Sequence, residues 1–168
     1  MLTANLLLGA LSGLFGAVVM TLCIYVLNKS GVHFDILYLI GTRFVDPRQK
    51  SKAYTVGTIV HLLIGALWGV LYIILIMGMS EIPRWTLGLL FGFAHGFFSG
   101  IILSTVADAN PNVGNGKAIS DPGMFGNRWG KSVPFYIFVV HMVFGLVTVI
   151  SYNWMYISEM IPRVKMHV

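Results

Sequence analysis

The chain has 168 residues, 57% of them hydrophobic and only 10% charged, with a net charge of +5 and a mean hydropathy of +0.81. Soluble domains carry roughly 25% charged residues, so this composition excludes an ordinary soluble domain and places the chain in a lipid bilayer. The basic excess lies outside the apolar runs and lacks the aromatic interleaving of a nucleic-acid surface, so anionic lipid is the expected partner and nucleic acid is not. The single cysteine, Cys23, excludes an internal disulfide and a cysteine-based zinc or iron–sulfur site within the chain.

Four apolar runs, 5–27, 54–77, 85–106 and 134–156, reach the roughly 20 residues that cross a bilayer. They predict an all-α, polytopic transmembrane four-helix bundle forming one domain over 1–168. The first run has no basic flank before it and no small-x-small site after it, so it reads as a span rather than a secretory signal. The loop that follows contains 32–44, an apolar stretch too short to span, which predicts a short interfacial helix or a segment tucked against the bundle. The second loop, 78–84, is short and predicts that spans two and three are antiparallel neighbours.

The third loop, 107–133, is rich in Gly, Asn, Asp and Pro, a composition that specifies turns. Loops of this length are functional or disordered. Phe125 and Trp129 predict that part of it packs on the bundle. Asp108 and Asp121 are candidate loop contacts, either as helix caps and turn formers or as a point of access for a cation or proton. Asp46 in the first loop is read the same way. Eight of the eleven basic residues fall in the first and third loops. The positive-inside rule then puts those loops in the cytoplasm and both termini outside.

Glycines recur at a spacing of four or close to it: Gly9, Gly13 and Gly16 in span one, Gly57, Gly65 and Gly69 in span two, and Gly88, Gly92, Gly96 and Gly100 in span three. Residues four apart share a helical face, so each series predicts a smooth stripe where backbones approach closely. Spans two and four also share a spacing, His61, Gly65 and Tyr72 against His141, Gly145 and Tyr152, which reads as two parallel two-helix repeats.

The chemistry-bearing residues are His61, His95 and His141, each inside an apolar run with no Asp, Glu, Lys or Arg. An ionisable group at that depth is a functional-site hypothesis by default. His61 and His141 each fall seven residues into their spans, about 10 Å deep, and His95 lies near mid-membrane, so the three are expected in one layer. Neutral imidazole ligates haem iron or the magnesium of a chlorin, with His61 and His141 as the axial candidates. Gly65, Gly96 and Gly145 would leave room for a flat macrocycle or for a quinone ring. The competing reading is structural, a histidine bonded to a backbone carbonyl or hydroxyl as polar glue between helices. His33 and His167 lie in a loop and the tail and are read as solvated. The methionines, Met160 among them, form no spaced copper motif and are read as packing residues. Signatures of soluble catalysis are missing: the sequence has no P-loop, Rossmann fingerprint, HExxH or nucleophile elbow.

Met20-Thr21 in a Gly-rich first span, Gly57-x3-His61-x3-Gly65-x3-Gly69-x2-Tyr72, Gly92-x2-His95, Pro122-Gly123-Met124-Phe125-Gly126 and Pro134-x6-His141-x3-Gly145 occur in this order. In these motifs the chain resembles a group of small, uncharacterised four-span bacterial membrane proteins known as a domain of unknown function. The resemblance implies a four-helix membrane bundle in a bacterial inner membrane, and no activity comes with it.

The leading functional expectation is an accessory or anchoring subunit of a larger membrane assembly, electron-transfer or photosynthetic, without catalysis of its own and in contact with other membrane subunits. The alternative is a redox protein binding haem b, chlorin or quinone through the intramembrane histidines. A small-solute carrier comes third, since the spans offer little polar pathway.

Overall fold

The computed structural model describes residues 2–79 and 83–165. His167 and the side chains of Met160, Arg163 and Lys165 lie outside the described residues. The elements are α1 (Leu2–Lys29), α2 (Ile36–Gly41), α3 (Lys50–Gly78), α4 (Trp85–Asp108), a single 3-10 turn (Met124–Gly126) and α5 (Val133–Lys165). Four stretches are long and apolar enough to cross a membrane: Asn5–Lys29, Lys50–Gly78, Trp85–Asp108 and Val133–Ser158. They contain the four predicted spans, and α2 is the short helix expected in the first loop.

Helix is the required conformation for such sequences, because backbone groups in lipid must find their hydrogen bonds within the segment. Pro134 falls in the first turn of α5, where the missing N–H would have had no partner anyway. The outward faces carry Leu7, Leu22, Leu63, Leu67, Leu90 and Trp154, all exposed. An apolar surface that covers every long helix fits a lipid-facing bundle.

Packing follows the glycine stripes. Helix α1 packs on α3 and α5, and α5 packs on α4, so the order around the bundle is α3, α1, α5, α4. A Cβ on Gly13 would lie 2.6 Å from Gly69 Cα, and one on Gly88 would lie 2.5 Å from the Gly145 carbonyl oxygen. These pairs are backbone-to-backbone contacts that only glycine permits. The neighbours expected from the short second loop, α3 and α4, do meet, but without close backbone packing. Helices α3 and α4 barely touch, because the stripe on α3 faces α1 and the stripe on α4 faces α5. They meet through the long side chains of Trp68, Tyr72, Phe91 and His95.

Helix α2 lies directly on α3, where a Cβ on Gly41 would sit 3.0 Å from the Gly57 nitrogen. The third loop then ties α2 down. Asn110 Nδ2 donates to the Leu39 carbonyl at 2.8 Å and to Thr42 Oγ1 at 3.0 Å, and Asn112 Nδ2 donates to the Thr42 carbonyl at 2.8 Å. The first and third loops therefore meet at one end of the bundle. The third loop is a packed element: Phe125, in the left-handed region at φ 54°, lays its ring on Gly100 and stacks on Phe138 at 5.8 Å.

Candidate functional site

The weak α3–α4 contact leaves a cavity of about 440 Å³ between them, partly open to the side. Its floor is built by Ala17 and Met20 of α1 and by Ile137, His141 and Phe144 of α5, and Leu39 and Ile40 of α2 line it from the loop end. His61, His95 and His141 all line this one cavity. They come from three different helices, and α1 supplies Thr21 as a partner.

Each imidazole has one ring nitrogen engaged. His61 Nδ1 lies 3.1 Å from Thr21 Oγ1, and His95 Nδ1 lies 3.2 Å from the Tyr72 hydroxyl. The His141 Nδ1–H donates to the Ile137 carbonyl at 2.7 Å. That last bond sets the tautomer of His141 and leaves its Nε2 with a lone pair, able to accept a hydrogen bond or bind a metal. No hydrogen bond reaches Nε2 of any of the three among the described residues. The only sealed, unpartnered polar side-chain atom among them is Thr148 Oγ1, so the three Nε2 atoms are accessible rather than walled in.

The aromatic surround is dense. The His95 ring stacks on Trp68 at 3.9 Å and meets the His141 ring edge-on at 4.6 Å, with Phe144 edge-on at 5.6 Å. Rings 4.6 Å apart leave no room for a metal-centred macrocycle between His95 and His141. Among the described residues no group of three or more His, Cys, Asp or Glu is arranged to hold a metal ion. Apart from Arg43, no Lys, Arg, Asp or Glu lines the cavity.

The three candidate glycines serve packing. Gly65 lines the cavity but abuts Ala17 of α1, Gly96 faces Phe138 and His141 of α5, and Gly145 faces Gly88 and Gly92 of α4. Neighbouring helices fill the space beside Gly96 and Gly145, so the room for a ligand lies between α3 and α4 instead. Trp68 and Arg43 line the cavity and Thr21 backs it through His61; none of the three was singled out for it from the sequence. A Trp two turns beyond His61, on the same face of α3, was a visible signal, whereas the role of Thr21 depends on helix rotation and that of Arg43 on where the first loop folds.

The loop candidates sit outside the cavity. Asp121 pairs with Arg128 and also accepts the Gly123 backbone N–H at 2.7 Å, so it shapes a turn. The Trp129 indole N–H donates to the Ser120 carbonyl at 3.0 Å. Asp108 is exposed at the last residue of α4. In the first loop, hydrogen bonds from the Arg48 side chain and backbone hold the Asp46 carboxyl down at about 2. Burial pushes the Asp35 carboxyl above its ordinary value, partly offset by the Tyr54 hydroxyl that donates to both its oxygens.

No family model, curated protein or solved structure matches the chain.

Proposed function

We propose that this protein binds a neutral, quinone-class molecule drawn from the bilayer. The observation that carries the reading is the joint placement of three imidazoles on the wall of one apolar, aromatic-lined cavity between α3 and α4. A quinone ring is flat and apolar and presents carbonyl oxygens; a quinol presents hydroxyls. Histidine meets either partner, donating or accepting according to tautomer. The volume falls within the range of roughly 300–1,000 Å³ usual for small-molecule sites, which are mostly apolar with a few convergent polar groups. The near absence of charged side chains favours a neutral ligand over an ion or a charged solute, which also ranks the carrier reading last. A flat ligand enters sideways from lipid, through the gap that α3 and α4 leave.

In this reading the chain is an accessory component of a membrane electron-transfer assembly that holds the quinone for partner subunits. The excess of basic residues at the end formed by the first and third loops assigns that end to the cytoplasm, and the motif resemblance assigns the setting to a bacterial inner membrane. A haem or chlorin on His61 and His141 is the second reading. Its support is the His141 Nδ1–H bond to a backbone carbonyl, the arrangement that commonly orients metal-bound histidine.

The test is fluorescence quenching by a soluble quinone such as menadione in the detergent-purified protein, with Trp68→Phe alongside. Saturable quenching, lost mostly in Trp68→Phe and weakened in His95→Ala and His141→Ala, supports the reading. Linear quenching that ignores all three substitutions sinks it. A reduced-minus-oxidised spectrum of the same sample, with a sharp b-type band lost in His61→Ala, would replace quinone with haem.

A further inference from the structure

A second cavity, of about 360 Å³, lies at the loop end of the bundle between the first loop, the start of α3 and the third loop. His33 and Asp35 follow the end of α1 at Lys29, while Lys50 and Tyr54 occupy the first two turns of α3. The cavity thus sits where the apolar helices end, which is the headgroup layer of a bilayer. Tyr54 stacks on Tyr38 at 5.2 Å and Trp129 adds its ring to the wall, as expected at an interface where aromatic rings collect.

The polar groups of this wall are unevenly spent. Both Asp35 oxygens accept the Tyr54 hydroxyl, at 2.9 and 2.8 Å. Arg128 uses one nitrogen on Asp121, and the Trp129 N–H is taken by the Ser120 carbonyl. Among the described residues no hydrogen bond engages the Lys50 ammonium, the His33 ring, the Ser120 hydroxyl or the remaining N–H groups of Arg128. Donors are in excess: Asp35 attracts Lys50 and His33 without a hydrogen bond to either, and Asp121 takes one Arg128 nitrogen. That leaves the Lys50 ammonium, the Ser120 hydroxyl and the other Arg128 N–H groups without an acceptor among the described residues. The fitting ligand offers several acceptor oxygens and a negative charge. Phosphate has both, and Arg and Lys are its usual binders.

The geometry points to a phospholipid-headgroup site in which Lys50, Arg128 and the Ser120 hydroxyl hold the phosphate. The depth of the cavity favours a lipid source, and a free phosphate ester shares the same chemistry. The site lies across α2 from the histidine cavity, with Asp35 and Tyr38 facing it and Leu39 and Ile40 lining the other. It stands whether or not that cavity holds a quinone.

The experiment titrates the whole protein, in a non-ionic detergent, with dihexanoylphosphatidylglycerol, dihexanoylglycerol and inorganic phosphate by calorimetry. The phospholipid should bind saturably and dihexanoylglycerol should not. Lys50→Gln should weaken binding about tenfold or more, the loss of one charge-assisted hydrogen bond. Lys52→Gln makes the same charge change in the same turn but off the wall, and should match the parent protein. Should Lys50→Gln melt early, Ser120→Ala reads the same donor set from an exposed loop position. Inorganic phosphate that binds as tightly and displaces the lipid would support the same donors with a soluble source. Equal binding of dihexanoylglycerol, equal losses in both lysine variants, or no binding of any phosphate would overturn the proposal.

Discussion

Replacing Gly92 with alanine puts the backbone contact between α4 and α5 to a direct test. A Cβ at this position would lie 2.7 Å from Met142 Cα and closer still to the His141 carbonyl oxygen, where ordinary contact begins at 3.4 Å. Both are backbone atoms, so no side chain can rotate away and the helices must part by at least about 0.7 Å. Overpacking of this kind costs roughly 1–3 kcal/mol. Contact with backbone atoms this close puts the cost in the upper part of that range, about 2–3 kcal/mol. Alanine's better helix propensity offsets up to about 1 kcal/mol, leaving a net loss of about 1–2 kcal/mol. Gly78→Ala is the matched control, since a Cβ there meets nothing within 4 Å; propensity alone should leave it neutral or stabilised by up to about 1 kcal/mol. Reversible unfolding in mixed micelles, titrated with sodium dodecyl sulfate and followed by circular dichroism, measures both. Because Gly92 packs on His141 and lies one turn before His95, the same variant should also weaken quinone quenching. A Gly92→Ala protein as stable as the parent, or a Gly78→Ala protein equally damaged, would refute the assigned packing.

Asn110→Leu removes hydrogen bonds to α2 from a residue that is almost fully buried. It should cost about 1–3 kcal/mol and expose the third loop to limited proteolysis, while Asn127→Leu, at an exposed position, should do neither. The two first-loop carboxylates should titrate on opposite sides of their ordinary value, Asp46 near 2 and Asp35 above it, as read by carboxyl carbon NMR. Arg48→Gln should bring Asp46 up, whereas Tyr54→Phe should raise Asp35 further. The depressed Asp46 contributes stability above its ordinary value of 3.8, lost as pH falls towards 2. The raised Asp35 acts in the opposite sense, contributing stability below its ordinary value that is lost as pH rises through its raised value. Phe125→Ala should loosen the third loop from α4, seen as faster backbone hydrogen exchange at 120–130, because its ring is what covers Gly100 and stacks on Phe138.

The amino-acid sequence alone settles the spans, the emergence of the first and third loops at one common end, and the existence of smooth glycine faces. Each is a local property: a backbone in lipid has to satisfy itself, so apolar length alone dictates helix, and a spacing of four alone dictates a stripe. It also marked the three histidines, because an ionisable group in an apolar run stands out whatever surrounds it. Partner choice belongs to the tertiary structure. Gly13 pairing with Gly69, and Gly88 with Gly145, turns the stripes of α3 and α4 away from each other, so these two neighbours meet only through long side chains. That rotation leaves the space between them unfilled, directs His61, His95 and His141 into it, and brings Thr21, Trp68 and Tyr72 alongside. Side chains such as Asn110, which reads in sequence as one more turn former, acquire their role only when α2 lies within reach. Helix formation depends on contacts within one turn, whereas the cavity depends on how several helices rotate about their axes, which is decided only when all of them pack at once.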